Sequence, residues 1–263
     1  MKFKPWTREE TLVALNLYCQ LPFGKLYRGN PIIIEVAKLI GKTPSALAMK
    51  LANLSSLDPK ITQSGRKGLV SCSKLDKQIW NDFQNNPEII AYESQLIIEK
   101  MSKAKSTLKD LSALDEDVFI ETDLNTNIET TRISHIKTRL NQNLFRKIVL
   151  SNYNTTCCIT GVRDPRLLIA SHIIPWSSDS THRLNPRNGL CLNVLHDRAF
   201  DRGLITITPS YEIKVSKSFI EQENSPMIQD YVKNFNDSKI KLPSKFLPAK
   251  EFLEFHNETI FIG

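Results

Sequence analysis

The chain has 263 residues, of which 41% are hydrophobic and 24% charged, a balance that suits a globular protein with room for two domains. Its formal net charge of +7 and isoelectric point near 9.1 favour a polyanionic partner, nucleic acid before membrane. No apolar run approaches the roughly 20 residues of a membrane span. "MKFKPWTREE" leads into no signal-peptide core, and five cysteines without regular spacing do not read as a disulfide framework, so a cytoplasmic protein is expected.

Thr7 and Glu10 make a capping box, after which Leu12, Leu15 and Cys19 recur at helical spacing. Asn30-Pro31 opens a second helix, with Ile33, Ala37 and Ile40 inward and Gly41 as its stop. Thr43-Pro44 repeats the start signal for a third, whose inner face is Leu47, Leu51 and Leu54 and whose outer face offers Ser45, Lys50 and Asn53. A tight helix pair with a polar, basic second member is the helix-turn-helix arrangement that enters a DNA major groove. "WTREE…IGKTPSALAMKL" resembles Myb-type and related three-helix DNA-binding modules. A bundle that merely packs on its neighbour explains the same pattern.

Residues 60–75 read as a basic loop in which Arg66 and Lys67 are candidates for phosphate contact, against the alternative of a solvated loop. Helical periodicity returns over 76–103 around Trp80, Phe83, Ile90 and Leu96, and 104–131 turns acidic and linker-like. The expected organisation is a helical DNA-binding domain over 1–103, a linker over 104–131 and a second domain over 132–263.

In "RLNQNLFRKIVLSN", Leu144, Phe145, Ile148 and Val149 form paired helical rows that end near Asn152. "LLIASHI" reads as a strand, 175–187 as a long turn, "GLCLN" as a second strand, and "VLHDRAFDRG" as a short helix stopped by Gly203. This ββα order puts His172 on a strand and His196 on the helix, where both side chains are expected to converge on one point. "LITIT" and "YEIKV" form a hairpin, and a helix supported by His256 closes the chain. The fold class is α+β.

"SHIIPW…NPRNGLCLNVLHDRAFDRGL" resembles the HNH nucleases, over a stretch from Cys157 to Ile207. The resemblance implies a metal-dependent endonuclease acting on double-stranded DNA, of restriction or defence type. It implies His172 as the general base, Asn188 as the amide that ties the loop to the strand, and His196 as a ligand of a single divalent cation, Mg²⁺ first and Mn²⁺ next. An imidazole of ordinary pKa, roughly 6.5, suits the base at cellular pH.

Two departures from the family pattern bear on the details. Many members carry Asp before the first His, as a second metal ligand; here that position is Ser171, a weak neutral donor. Asp197 and Asp201 are the nearby carboxylates able to help, with Asp201 preferred. The two Cys-x-x-Cys pairs of a zinc knuckle are also missing, so no structural zinc is expected. Cys157, Cys158 and Cys191 are then packing residues, with Ile159, Leu168, Trp176, Leu192 and Phe200 bracing the unit. Arg187, Arg198 and Arg202 surround the site and are candidates for phosphate contact, against the alternative of solvated charge; His182 matches no motif position, and cutting both strands implies a homodimer. The rival reading is a DNA-binding regulator that keeps the fold without the chemistry.

Overall fold

A computed structural model describes residues 4–63, 72–104 and 141–263. The expected linker, with Arg66 and Lys67, lies outside the described residues. Helix α1 (Arg8–Gln20) opens on the capping box of Thr7 and Glu10. Asn30 and Thr43 cap α2 (Pro31–Leu39) and α3 (Pro44–Ser55), each followed by a proline at a position whose N–H has no helical partner. A short α4 (Pro59–Gln63) occupies the start of the stretch expected to be a loop. The periodic region 76–103 is two helices, α5 (Lys74–Asn85) and α6 (Pro87–Ala104). Pro87 supplies no N–H and holds Asn86 away from helical geometry, at φ −140 and ψ 64. Leu96, expected on an inner row, is 47% exposed.

Lys50 corrects the reading of the outer face of α3. Its side chain is buried, its ammonium lies 2.5 Å from Asp76 and 4.6 Å from the Trp6 ring centroid, and it joins α3 to α5. The exposed face of α3 carries Ser45 and Met49, with Asn53 half-buried. Lys50→Met leaves the Asp76 carboxylate buried without its cation, a loss of about 3–5 kcal/mol for such pairs. Urea unfolding is expected to show that loss, with DNA affinity unchanged. A phosphate contact at Lys50 predicts the reverse pattern.

In the C-terminal part, α7 (141–152) leads to the hairpin of β1 (Leu168–His172) and β2 (Gly189–Asn193). The strands are antiparallel, with Ala170 opposite Cys191 and His172 opposite Gly189. The Arg146 guanidinium on α7 donates to the Leu168 and Pro165 carbonyls and fixes the start of β1. Helix α8 (Val194–Asp201) follows β2 directly and ends before Gly203, whose φ of +67 is left-handed. A Cβ on Gly203 would stand 2.0 Å from the Ile260 carbonyl oxygen, so this stop also admits the chain end. A second hairpin, β3 (Ile205–Ile207) and β4 (Ile213–Val215), precedes two short helices, α9 (Lys217–Gln222) and α10 (Pro226–Tyr231). Helix α11 (Lys250–Thr259) packs on β3. His256 bridges them, with Thr206 Oγ1 at 2.8 Å and the Phe200 carbonyl at 3.1 Å.

Nearly all the buried apolar side chains of both parts belong to one cluster. Lys245, fully buried, donates to the carbonyls of Tyr18 and of Leu21 at the C-terminal end of α1. Those carbonyls lack helical partners, and a cation suits the negative end of a helix. Beside it Phe246 stacks on Trp80, centroids 5.8 Å apart, and its amide donates to the Asp58 carboxylate at 3.2 Å. Cys157, Cys158 and Cys191 are fully buried and free. Among the described residues no group of three or more His, Cys, Asp and Glu side chains is arranged to hold a metal. No described helix is long and apolar enough to cross a membrane.

Candidate active site

β1 ends on Ser171 and His172. The chain then makes a loop over 173–187 whose two ends are pinned by Asn188. The Asn188 Oδ1 accepts from the Ile174 amide at 2.8 Å, and its Nδ2 donates to the Ile174 and His182 carbonyls, each at 3.2 Å. Asn188 is 1% exposed, so all three bonds form away from water.

His172 sits in an aromatic slot. Its ring stacks on Phe145 at 3.7 Å between centroids and meets the Trp176 ring edge-on at 5.4 Å. Its Nε2 lies 3.0 Å from the Arg183 carbonyl oxygen, a pure acceptor, so Nε2 carries the proton and Nδ1 is the free lone pair. Burial disfavours the imidazolium and pulls the pKa down to about 4. The hydrogen bond to the Arg183 carbonyl works against that shift, and the Arg183 charge adds to it. The ring is therefore neutral at pH 7.

A cleft of about 490 Å³ opens beside this histidine. Ser171, His172 and Trp176 contribute from the hairpin and its loop, and Asp197, Arg198, Asp201 and Arg202 from α8. The pairs Asp197/Asp201 and Arg198/Arg202 are each spaced i, i+4, one turn apart on the helix. Burial raises the Asp197 pKa to about 6; the nearby Ser171 hydroxyl lowers it and the Asp201 charge raises it. The Asp201 carboxyl is also raised by desolvation, with Arg198 and Arg202 opposing. Ser171 Oγ is buried and has no hydrogen-bond partner of normal geometry among the described residues.

His196 does not meet His172 at this cleft, which corrects the expected convergence. As the third residue of α8 it shares the buried face with Ala199 and Phe200, at i, i+3 and i+4. The Asn193 Oδ1 that caps the helix accepts from the His196 amide at 2.9 Å and lies 3.0 Å from its Nδ1. The ring is 1% exposed and packs edge-on against Phe235 at 5.8 Å. Desolvation lowers its pKa to about 4, with the Tyr231 carbonyl opposing. One residue along, a rotation of about 100° on a helix, Asp197 points into the cleft instead.

The remaining candidates divide. Arg198 and Arg202 line the cleft, whereas Arg187 turns toward the Leu247 carbonyl at 3.4 Å and Glu251 at 3.7 Å. His182 packs against Phe252, with Asp179 at 3.8 Å. Of the bracing residues, Ile159, Leu168, Leu192 and Phe200 are buried and Trp176 is half-buried at the cleft wall. Trp176, expected only to brace the unit, frames His172 together with Arg183, which sequence reasoning misses because it lies in a stretch that reads as a polar turn.

The two carboxylates and the buried serine hydroxyl beside Asp197, in a water-accessible cleft, form a set of hard oxygen donors. Such a set fits a divalent cation of the Mg²⁺ or Mn²⁺ kind, with water and substrate oxygens completing its shell.

No curated protein matches the chain. Residues 157–208, which carry β1, β2, α8 and the loop between the strands, match the family model described as HNH endonuclease. The chain therefore carries an HNH endonuclease domain in this segment.

Proposed function

We propose that the protein is a divalent-cation-dependent DNA endonuclease in which His172 is the general base and Asp197, with Asp201 and Ser171, holds the cation. The observation that carries this reading is the shared cleft: His172, neutral and with Nε2 committed to the Arg183 carbonyl, lines the same cleft as two partly desolvated carboxylates and two arginines. Nδ1 takes the proton of a water as that water attacks the scissile phosphorus. A phosphate in the cleft adds negative charge near the ring, which raises its proton affinity above that of the free enzyme. Arg198 and Arg202 hold phosphates on either side of the cut, and Asn188 keeps the loop closed so that the ring stays aimed. A bound cation would supply charge neutralisation at the phosphate and at the departing 3′-oxygen. The products carry a 5′-phosphate and a 3′-hydroxyl.

The α2–α3 pair, with Ser45 and Asn53 toward the groove, is the duplex-reading element in this proposal. Cutting both strands requires two sites, hence a homodimer, and a restriction or defence role follows from the family resemblance. One feature favours the second reading, a DNA-binding regulator without catalysis: Ser171 stands where many relatives have a carboxylate. Supercoiled plasmid incubated with Mg²⁺, Mn²⁺ or EDTA separates the two. Nicked or linear product with a cation and none with EDTA is expected. A shifted but intact plasmid under every condition, on modified and unmodified DNA alike, supports the regulator.

A further inference from the structure

We propose that Arg183 is a positioning residue for the base: its side chain locks the loop so that its own carbonyl fixes the orientation and tautomer of His172. The proposal rests on the nuclease reading for its catalytic consequence and on geometry for everything else. Four contacts close a ring. His172 Nε2–H donates to the Arg183 carbonyl at 3.0 Å. The Arg183 Nε–H donates to the Trp176 carbonyl at 2.9 Å. The guanidinium carbon lies 5.0 Å from the Trp176 ring centroid, and the Trp176 ring meets the His172 ring edge-on at 5.4 Å.

Each link has a separate task. The carbonyl accepts only from an N–H, so it selects the Nε2–H tautomer and leaves Nδ1 as the ring's acceptor. That carbonyl is backbone in a loop, and its position is only as firm as the loop. Asn188 pins the two ends of the loop, at Ile174 and His182. The span between them is held by the guanidinium, which donates to the Trp176 carbonyl while its carbon lies over the indole. Lysine offers a donor but not the rigid, delocalised guanidinium fork, so Arg183 suits the clamp better than lysine.

The test compares Arg183→Met and Arg183→Lys with the wild type in three measurements. The first is single-turnover cleavage with saturating cation. A near-attack geometry displaced by about 1 Å costs on the order of 100-fold in rate, so Arg183→Met is expected to lose about 10–100-fold in kcat. The second is DNA affinity in EDTA, expected to change less than about threefold, with Arg183→Lys recovering part of kcat. The third is a long-range proton–nitrogen NMR correlation of the histidine rings at pH 8, with His172 identified by its absence in His172→Ala. The wild type is expected to show a single Nε2–H tautomer for His172, and Arg183→Met an averaged mixture. A phosphate contact at Arg183 overturns the proposal, and it shows as lost DNA affinity with kcat and tautomer retained. An unchanged tautomer together with native kcat overturns it as well. If the wild type cuts nothing, the nuclease reading fails, while the tautomer comparison still decides whether the clamp exists.

Discussion

His172→Ala is expected to reduce cation-dependent DNA cleavage by about 10²–10⁴-fold, the usual contribution of a positioned general base, while DNA affinity stays within about twofold. The reasoning starts from the ring's environment. Burial holds the imidazole neutral, its Nε2 is committed to the Arg183 carbonyl, and Nδ1 is left as the proton acceptor of a residue that lines the cleft. Arg198 and Arg202, which attract the phosphate, are on another element and remain in place. Removing the ring therefore removes the proton acceptor and leaves the anion-binding wall. Plasmid cleavage rates and a filter-binding titration measure the two quantities separately. Loss of affinity and rate in equal proportion would assign His172 to substrate binding and withdraw it as the base. The ring also fills the slot between Phe145 and Trp176, so a thermal melt accompanies the assay to confirm that the variant is folded at the assay temperature.

The second large effect distinguishes two neighbours on one helix. Asp197→Asn is expected to abolish cleavage and to remove the rise in melting temperature that Mg²⁺ or Mn²⁺ gives the wild type. A cation present at 100 times its Kd stabilises by about 2.7 kcal/mol, which corresponds to several degrees in a chain of this size. In EDTA the same variant is expected to melt higher than the wild type. The sign follows from the raised pKa: at neutral pH the folded protein holds a charged carboxylate that its surroundings disfavour, and that cost falls away progressively from about pH 6 down to the ordinary carboxylate range near 3.8, or is removed when a neutral amide replaces it. Asp197 is partly solvated, so the gain is discounted to about 1 kcal/mol.

His196→Ala predicts the opposite pattern. It empties a buried site on α8 and costs about 2–4 kcal/mol, yet the cation-induced shift and the cleavage survive below the lowered melting temperature. Differential scanning calorimetry with and without Mn²⁺ reads both variants. A cation response that vanishes in His196→Ala and persists in Asp197→Asn would return the ligand to His196.

Those neighbours also show what the sequence holds and what it withholds. Caps and stops are local chemistry, so Thr7 with Glu10, Asn30-Pro31, Thr43-Pro44 and Gly203 mark helix ends that the structure repeats. The strands and helix of the ββα unit were legible for the same reason, and "GLCLN" coincides with β2. The facing of α8 was not. Histidine draws the eye as a ligand, but a step of one residue turns the side chain by about 100°. Only the packing of Ala199 and Phe200 decides which of His196 and Asp197 is buried. Lys50 failed for a related reason, because its burial depends on Asp76, 26 residues along the chain. The clamp around His172 is made of a main-chain carbonyl, an indole and a guanidinium, none of which leaves a spacing signature.

The buried lysine in "PSKFLP" bears on how this protein can be divided. Lys245 and Phe246 plug a socket made by Tyr18, Leu21, Asp58 and Trp80, more than 150 residues earlier in the chain. A few residues on, the same strand of chain hands its Ala249 amide to the Arg187 carbonyl, next to Asn188, and then becomes α11, whose His256 and the following Ile260 border the cleft. The nuclease segment is thus no freestanding cassette. Grafting residues 157–208 alone onto another recognition module leaves behind the plug and its socket, and the unit to transplant is the helical part and the cutting part together.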